Sequence, residues 1–219
     1  MSLEIEWAGE RLILLAGKAL AWPRTASLIV ADLHLGKAAS FRMSGIPVPE
    51  ATTATDLARL DEMLRANRSE RLIVLGDFFH SALGRQPEMM DAVADWCRDN
   101  SALEIVLVPG NHDAKSGEPP ACWNIKPVPD GWSHAPFAFC HQPREIAGSH
   151  VLAGHLHPAI SLRESHGSGL RAPCFWFGKT CAVLPAFGSF TGTSVIRTVR
   201  GDRIFAIGED EIVEATLPQ

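Results

Sequence analysis

The chain has 219 residues, of which 46% are hydrophobic, and its formal net charge is −5. This length and apolar content are enough for a full hydrophobic core, so we expect one domain over residues 1–219. The negative charge argues against a protein that binds nucleic acid over a long basic surface, but it is compatible with local binding of a phosphodiester.

The predicted elements begin with a hairpin. Short apolar runs at residues 12–15 and 19–22 are separated by a turn and predict two paired strands. Apolar residues at helical spacing predict helices over residues 49–66 and 87–98. Residues 116–136 are rich in Pro, Trp and Gly and predict a long loop that walls a substrate cleft. Its aromatic side chains either stack on bases or pack the loop down.

Five apolar runs of strand type are each followed by a polar side chain that can bind a metal. The runs are residues 28–30, 72–75, 105–108, 137–139 and 151–152. In an α/β sheet, ligand and metal sites gather at the carboxyl ends of the strands. The sequence therefore predicts an α/β fold with a metal site at that edge. The candidate ligands are Asp32, His34, Asp77, Asn111, His141, His155 and His157.

This donor set contains carboxylate, amide and imidazole groups but no thiolate. It suits Mn²⁺, Fe or Zn²⁺ better than a closed structural zinc site, and we favour Mn²⁺. Seven ligands are too many for one ion and divide over two if Asp77 bridges them. Two ions roughly 3.5–4 Å apart are the usual apparatus for displacement at phosphorus. Each short motif alone is more often structural, and it is their combination that predicts the site.

The motifs Asp-x-His, Gly-Asp, Gly-Asn-His-Asp, a lone His and Gly-His-x-His occur in this order. Over residues 28–190 they resemble the calcineurin-like metallophosphoesterases. The resemblance implies two packed mixed sheets flanked by helices, an α/β/β/α sandwich, with a dinuclear metal centre at the strand ends. It implies one ion held by Asp32, His34, Asp77 and His157. It implies a second ion held by Asp77, Asn111, His141 and His155.

The same resemblance implies catalytic roles for two further histidines. His112 would contact a phosphoryl oxygen or protonate the leaving oxygen. Phosphatases of the family usually carry a second Asp three residues after that of Gly-Asp, where this chain has His80. A His at this position resembles the nucleases of DNA double-strand-break repair. It implies that His80 also faces the scissile phosphate; the alternative is that His80 only supports a ligand by hydrogen bonding.

Longer segments, residues 32–42, 45–49 and 76–81, are similar to the bacterial ligase-associated DNA-damage-response endonucleases. This implies DNA as the substrate, single-stranded or locally unpaired, and a ligase or a helicase as a repair partner. Lys37 and Arg42 directly follow the first metal motif and are the candidate substrate contacts.

The N-terminus and the cysteines indicate the compartment. Residues 1–6 show no basic segment followed by an apolar stretch, and no run approaches the roughly 18 apolar residues of a membrane span. We therefore expect neither a secretory signal nor a membrane partner. The five cysteines are an odd number without Cys-x-x-Cys spacing, which favours a reduced cytoplasm. Adjacent strand residues face opposite ways, so we assign Cys140 to the core rather than to the site of His141.

Three functions compete. The first is a metal-dependent phosphodiesterase or DNA endonuclease of DNA repair, in which a water between the two ions is acidified and attacks phosphorus. The second is a hydrolase of small phosphoesters, such as cyclic nucleotides or nucleotide pyrophosphates, which the absence of an evident DNA-binding appendage keeps open. The third is an interaction module that has lost its metals, and the complete ligand set argues against it.

Overall fold

The computed structural model describes residues 1–48, 52–163, 169–209 and 211–216. Its first sheet has seven strands in the order of the chain. They are β1 (Ser2–Trp7), β2 (Glu10–Leu15), β3 (Ala19–Trp22), β4 (Ser27–Ala31), β5 (Arg71–Leu75), β6 (Glu104–Val108) and β7 (Ile125–Pro127). Strands β1 to β4 pair antiparallel, which confirms the predicted hairpin. Strands β4 to β7 pair parallel.

The second sheet follows in the chain and has nine strands in its described part. They are β8 (Trp132–His134), β9 (Phe137–Phe139), β10 (His150–Ala153), β11 (Pro158–Arg163), β12 (Gly169–Phe177), β13 (Cys181–Val183), β14 (Ser194–Val195), β15 (Arg203–Ile207) and β16 (Ile212–Ala215). The main path runs β14-β11-β12-β13-β10-β9-β8, and β15 joins β12 to β16. Strands β9, β10 and β13 are parallel, so this sheet is also mixed.

The helices are α1 (Lys37–Met43), α2 (Thr52–Ala66), α3 (Pro87–Asp99) and α4 (Asp113–Ser116). The predicted helix over residues 87–98 is confirmed as α3. The helix predicted over residues 49–66 is confirmed as α2 from Thr52 onwards, and residues 49–51 lie outside the described residues. Within the described residues, none of the helices has the length and apolarity needed to cross a membrane.

Alternate residues of β4 face opposite sides of the first sheet, as the period of two in a strand requires. Leu28 and Val30 pack with the buried leucines of α2 and with Val93 and Trp96 of α3. Ile29, between them, points to the other side and joins the core shared with the second sheet. The first sheet therefore lies between a helical layer and the second sheet.

Aromatic side chains fill the space between the two sheets. They are Trp22, Phe137, Phe139, Phe175, Phe177 and Phe205, each at most 2% exposed. The predicted α/β fold with two packed mixed sheets is confirmed. Helices α2 and α3 both lie against the first sheet. On the other face of the second sheet, the small described cluster around Cys140 contains no helix residue, and Cys140 is a core residue as predicted.

The prediction of one long loop over residues 116–136 is wrong in part. This segment contains β7, β8 and a short 3₁₀ turn at Ala121–Trp123. The ring of Trp123 is buried, and that of Trp132 packs on Phe139 at 5.3 Å between centroids. Both rings therefore pack the segment down and do not stand free to stack on bases.

Candidate metal centre

The carboxyl ends of the parallel strands bring the candidate ligands together. In the first sheet, Ala31 pairs with Leu75, and Leu75 pairs with Val108, so β4, β5 and β6 end at one level. The chain keeps this alignment beyond the strands, because the backbone N–H of His34 donates to the carbonyl of Asp77 at 2.8 Å. The residues that follow these strands therefore meet at one edge, as the sequence predicts.

The backbone at this edge is strained. Asp32, His34, Asp77, His155 and His157 all have φ between 48° and 70°, a left-handed conformation that non-glycine residues seldom adopt. They are five of the ten non-glycine residues with positive φ in the described part of the chain. Such strain persists where surrounding structure enforces it, and it concentrates at functional sites. Here it turns five side chains back towards one point.

Two glycines allow the side chains to come close. A Cβ on Gly76 would collide with the ring of His141, and a Cβ on Gly110 would collide with the carboxylate of Asp77. The glycines of Gly-Asp and Gly-Asn-His therefore make room for ligands from other strands. A larger residue at either position would push the ligands apart.

The first group of donors contains Asp32, His34 and His157. Nε2 of His157 lies 3.4 Å from Nε2 of His34 and 3.6 Å from Oδ1 of Asp32. Nε2 of His34 lies 3.8 Å from Oδ2 of Asp77. Asp32 is fully buried, and its Oδ1 has no hydrogen-bond partner among the described residues. A buried carboxylate oxygen without a donor is costly unless a cation accompanies it.

The second group contains Asp77, His141 and His155, with Asn111 beside them. Nε2 of His141 lies 2.8 Å from Oδ1 of Asn111, 3.1 Å from Nδ1 of His155 and 3.5 Å from Oδ1 of Asp77. Asp77 thus directs Oδ1 to this group and Oδ2 to the first. This is the position that a bridging carboxylate requires.

Backbone carbonyls contact the outer nitrogens of two imidazoles. Nδ1 of His141 lies 3.2 Å from the carbonyl oxygen of Leu75, and Nδ1 of His157 lies 3.1 Å from that of Gly192. A carbonyl only accepts, so Nδ1 of His157 carries a proton, whereas Nε2 of His141 also meets an acceptor, Oδ1 of Asn111, and both of its ring nitrogens face oxygen. Histidines that bind metals show this arrangement, with the outer N–H held by a carbonyl or a carboxylate.

Burial keeps the imidazole of His34 neutral. Burial, and then the neighbouring His157, lower the pKa of His34 to about 2. Burial is also the main cause of the lowered pKa of His155. A neutral imidazole offers a lone pair at neutral pH, which is the form that binds metals. Together with the unpartnered oxygen of Asp32, these donors fit a pair of divalent ions.

His112 lies at the opening of this site, and its side chain is 35% exposed. Its Nδ1 donates to the backbone carbonyl of His80 at 2.6 Å, since that oxygen can only accept. Its Nε2 therefore points inwards, 4.0 Å from Oδ2 of Asp77. The acceptor that orients His112 is therefore the backbone carbonyl of His80 and not the imidazole of His80.

The ring of His80 stacks on that of His112, with centroids 5.1 Å apart and an angle of 23°. Burial, and then Lys37 and His112, lower the pKa of His80 to about 4, so this imidazole is neutral at neutral pH. Its Nδ1 is buried without a hydrogen-bond partner among the described residues. The structure therefore brings the rings of His80 and His112 together, and both rings lie against that of His34.

The two candidate substrate contacts lie in different places. Lys37 lines a small cavity together with His34, and burial lowers the pKa of its ammonium group. Arg42 instead lines a groove between α1, α2 and α3 and donates to the carbonyl of Val48 at 3.4 Å. Five residues correspond to about 140° more than one full turn of an α-helix, so the two side chains leave α1 on different faces. The structure therefore brings Lys37 to the candidate ligands and does not bring Arg42.

Two aspartates position the site without belonging to either group of donors. The carboxylate of Asp113 accepts from the N–H of Gly110 at 2.8 Å and from that of Phe79 at 3.0 Å, so it ties the two glycine motifs together. Asp130 accepts from the N–H of His141 at 3.0 Å. In the sequence, Asp113 is the last residue of the motif Gly-Asn-His-Asp, whereas only the Pro-Asp-Gly turn to which Asp130 belongs marks that residue.

Residues 27–155 match the family model of the calcineurin-like phosphoesterases. The nuclease MPE of Pseudomonas putida, known from a crystal structure, is 40% identical over 97% of this chain and 100% of its own, with a TM-score of 0.85. This chain belongs to the calcineurin-like phosphoesterase family. It is thus a metal-dependent phosphoesterase. Members of this family typically bind two divalent ions, and the two groups of donors offer ligands for them.

A second solved structure is much less similar to this calcineurin-like phosphoesterase. The phosphoesterase Yfce from E. coli is 12% identical over 86% of this chain and 97% of its own, with a TM-score of 0.42. Among curated proteins, none matches the chain.

Proposed function

We propose that this phosphoesterase is a DNA endonuclease that hydrolyses phosphodiester bonds at a two-ion centre. The observation that carries the proposal is the pair of stacked imidazoles of His80 and His112 beside the shared carboxylate of Asp77. A diester carries one negative charge and needs a proton donor for its alkoxide leaving group, which a pair of imidazoles suits. The similarity to the nuclease MPE over nearly the whole chain supports the same reading.

The proposed ligands follow the two groups of donors. Asp32, His34, Asp77 and His157 hold the first ion. Asp77, Asn111, His141 and His155 hold the second. Two divalent ions, when bound, acidify the attacking water and neutralise the charge that grows on the phosphoryl oxygens. We propose Mn²⁺, because mixed imidazole and carboxylate sites suit it; Fe and Zn²⁺ suit the same donors.

His112 is the proposed proton donor. The carbonyl of His80 holds the proton on Nδ1, so the second proton of the imidazolium sits on Nε2, which points into the site. Nε2 lies 4.0 Å from Oδ2 of Asp77. Nε2 then delivers its proton to the departing sugar oxygen. Lys37, whose ammonium group forms no ion pair within the described residues, is the proposed contact for a phosphate oxygen.

A substrate panel tests this function. Protein loaded with Mn²⁺ is incubated with circular single-stranded DNA, linear single-stranded DNA, duplex DNA, 2′,3′-cyclic AMP and p-nitrophenyl phosphate. We expect cleavage of the circular strand, which has no ends and so reports endonuclease activity. We expect His112→Ala to lower that rate by about 10²–10⁴, the usual contribution of a positioned acid or base. A protein that hydrolyses only the small substrates would contradict the proposal.

That result would instead support the second candidate, a hydrolase of small phosphoesters, which the same ligands would serve. The negative net charge of −5 is the observation that favours it. A role in DNA repair, with a ligase or helicase as partner, and a cytoplasmic location rest on the sequence resemblance and on the five free cysteines, and they stay predictions.

A further inference from the structure

Four aromatic rings form a row that leads from the catalytic histidine to the surface. The ring of His80 stacks on His112 and lies 6.3 Å from the ring of Phe41, at an angle of 39°. Phe41 meets Phe190 edge to face, with centroids 5.4 Å apart. A group bound at the two histidines therefore has an aromatic wall as its next neighbour.

The exposure of these two phenylalanines is exceptional in this chain. The sequence contains ten phenylalanines, and eight of them are at most 2% exposed. The other two are Phe41, which is half-buried, and Phe190, which is 38% exposed. Phenylalanine is among the residues that are most often fully buried. Both of the uncovered phenylalanines lie beside the candidate site, although they are far apart in the sequence.

The segment that carries Phe190 is firmly held. The N–H of Ser189 donates to both oxygens of the buried Asp56, at 3.1 and 3.2 Å. Arg59 donates to the carbonyl of Phe187, and its guanidinium lies 4.1 Å from the centroid of that ring. Phe190 is thus presented by a braced segment, so the wall exists before a ligand arrives.

A cation lies at the right place for the phosphate that accompanies a base. Lys37 begins α1 and precedes Phe41 by four residues, a spacing that puts both side chains on one face of the helix. Lys37 and Phe190 also line the same small cavity. In a nucleotide, one sugar joins the phosphate to the base. Lys37 offers a cationic contact for the phosphate, and the two phenylalanines offer an apolar face for the base.

We propose that Phe41 and Phe190 form a stacking subsite for an unpaired nucleobase next to the scissile phosphate. This rests on the proposed nuclease function and specifies its substrate. A base inside a duplex has both faces covered by its neighbours, so only a single-stranded or locally unpaired strand fills the subsite. Every base has an aromatic face, and stacking of this kind tolerates any sequence.

Binding of an oligothymidylate is compared with binding of the same strand carrying abasic residues. Fluorescence anisotropy is measured in EDTA, where no cleavage occurs. Phe190→Ala should raise the Kd for oligothymidylate about 5- to 150-fold, the range for one stacked base. The Kd for the abasic strand should rise far less. Phe190→Trp should restore binding, whereas Phe190→Leu, which keeps apolar bulk without a π-face, should not. Val213→Ala, at an exposed apolar residue on β16, is the matched control.

Activity separates the subsite from the nuclease itself. In Mn²⁺, the ratio of the kcat/KM for oligothymidylate to that for methyl p-nitrophenyl phosphate, a diester without a base, should fall about 5- to 150-fold in Phe41→Ala and Phe190→Ala. If wild-type protein cleaves DNA but Phe190→Ala changes neither this ratio nor the preference for strands with bases, the subsite is wrong and the nuclease stands. If wild-type protein neither binds nor cleaves DNA, both proposals fail.

Discussion

Replacing Asp77 with Asn removes one negative charge from both proposed ion sites while keeping the size of the side chain. Oδ2 of Asp77 lies 3.8 Å from Nε2 of His34, and Oδ1 lies 3.5 Å from Nε2 of His141, so the carboxylate faces both groups of donors. After the change, the second site has two amides and two imidazoles and no anion, and the first has Asp32 alone as an anion. We expect Asp77→Asn to lose both ions.

The expected magnitude follows from Coulomb's law. Two unit charges 4 Å apart interact by about 4 kcal/mol at an effective dielectric constant of about 20. Since about 1.4 kcal/mol is a tenfold change in affinity, each site should weaken by at least about 10³. The stability of the metal-free protein should not fall. Asp77 is 2% exposed, and an Asn keeps the oxygen that accepts from the N–H of His112 at 2.9 Å without the cost of burying a charge.

The assay combines metal content and thermal unfolding. Protein is dialysed against buffered Mn²⁺, bound ions are counted by mass spectrometry, and Tm is measured with Mn²⁺ and with EDTA. Asp77→Asn should show no Mn²⁺-dependent rise in Tm and an undiminished Tm in EDTA. Asp32→Asn is the matched control, because it should weaken the first site and leave the second. An Asp77→Asn protein that keeps two tight ions, or loses only one, would refute the bridging role.

Three further outcomes are expected. Asn111→Ala should weaken binding of the second ion and leave binding of the first unchanged, because Oδ1 of Asn111 lies 2.8 Å from Nε2 of His141. Titration calorimetry with Mn²⁺ measures both affinities. Loss of the first ion alone would contradict the assignment. His80→Ala should keep metal content and the orientation of His112, because the oriented N–H donates to a backbone carbonyl, but should slow cleavage of diesters; undiminished DNA cleavage would remove the role of the ring. Only Cys122 should react quickly with a thiol reagent at pH 8, because it is the one exposed cysteine of the five. Burial raises the pKa of Cys97 and Cys174 to about 12 and that of Cys181 to about 11, and it also raises the pKa of the fully buried Cys140. Mass spectrometry of labelled peptides would reveal any other fast site.

The positions of the candidate ligands could be predicted because they depend on a local pattern. A polar residue that directly follows an apolar strand has little choice of place once the strands are parallel, so Asp32, Asp77 and Asn111 had to meet. The division of β4 between two cores, with Leu28 and Val30 on one side of the sheet and Ile29 on the other, is a finding of the structure. The apolar run at residues 28–30 indicates a strand but does not say which element covers each of its faces.

Features that depend on the backbone or on distant partners could not be predicted. The acceptor that orients His112 is a main-chain carbonyl, which any residue at position 80 would supply, so no side chain marks it. The pairing of Phe41 with Phe190 arises only when the segment after β13 closes on α1. Arg42 does not lie beside the candidate ligands, because its spacing from Lys37 places it on another face of α1.

We propose that this chain hydrolyses the backbone of unpaired DNA at a two-ion site, with His112 as the proton donor. The most direct test is a titration of metal-stripped protein with Mn²⁺. Bound ions and cleavage of circular single-stranded DNA are measured on the same samples, for wild type and for His112→Ala. We expect no cleavage without metal, full cleavage only when both sites are filled, and a rate lower by about 10²–10⁴ in His112→Ala at equal metal content. Cleavage by the stripped protein, or a fully loaded His112→Ala protein that cleaves at the wild-type rate, would contradict the claim.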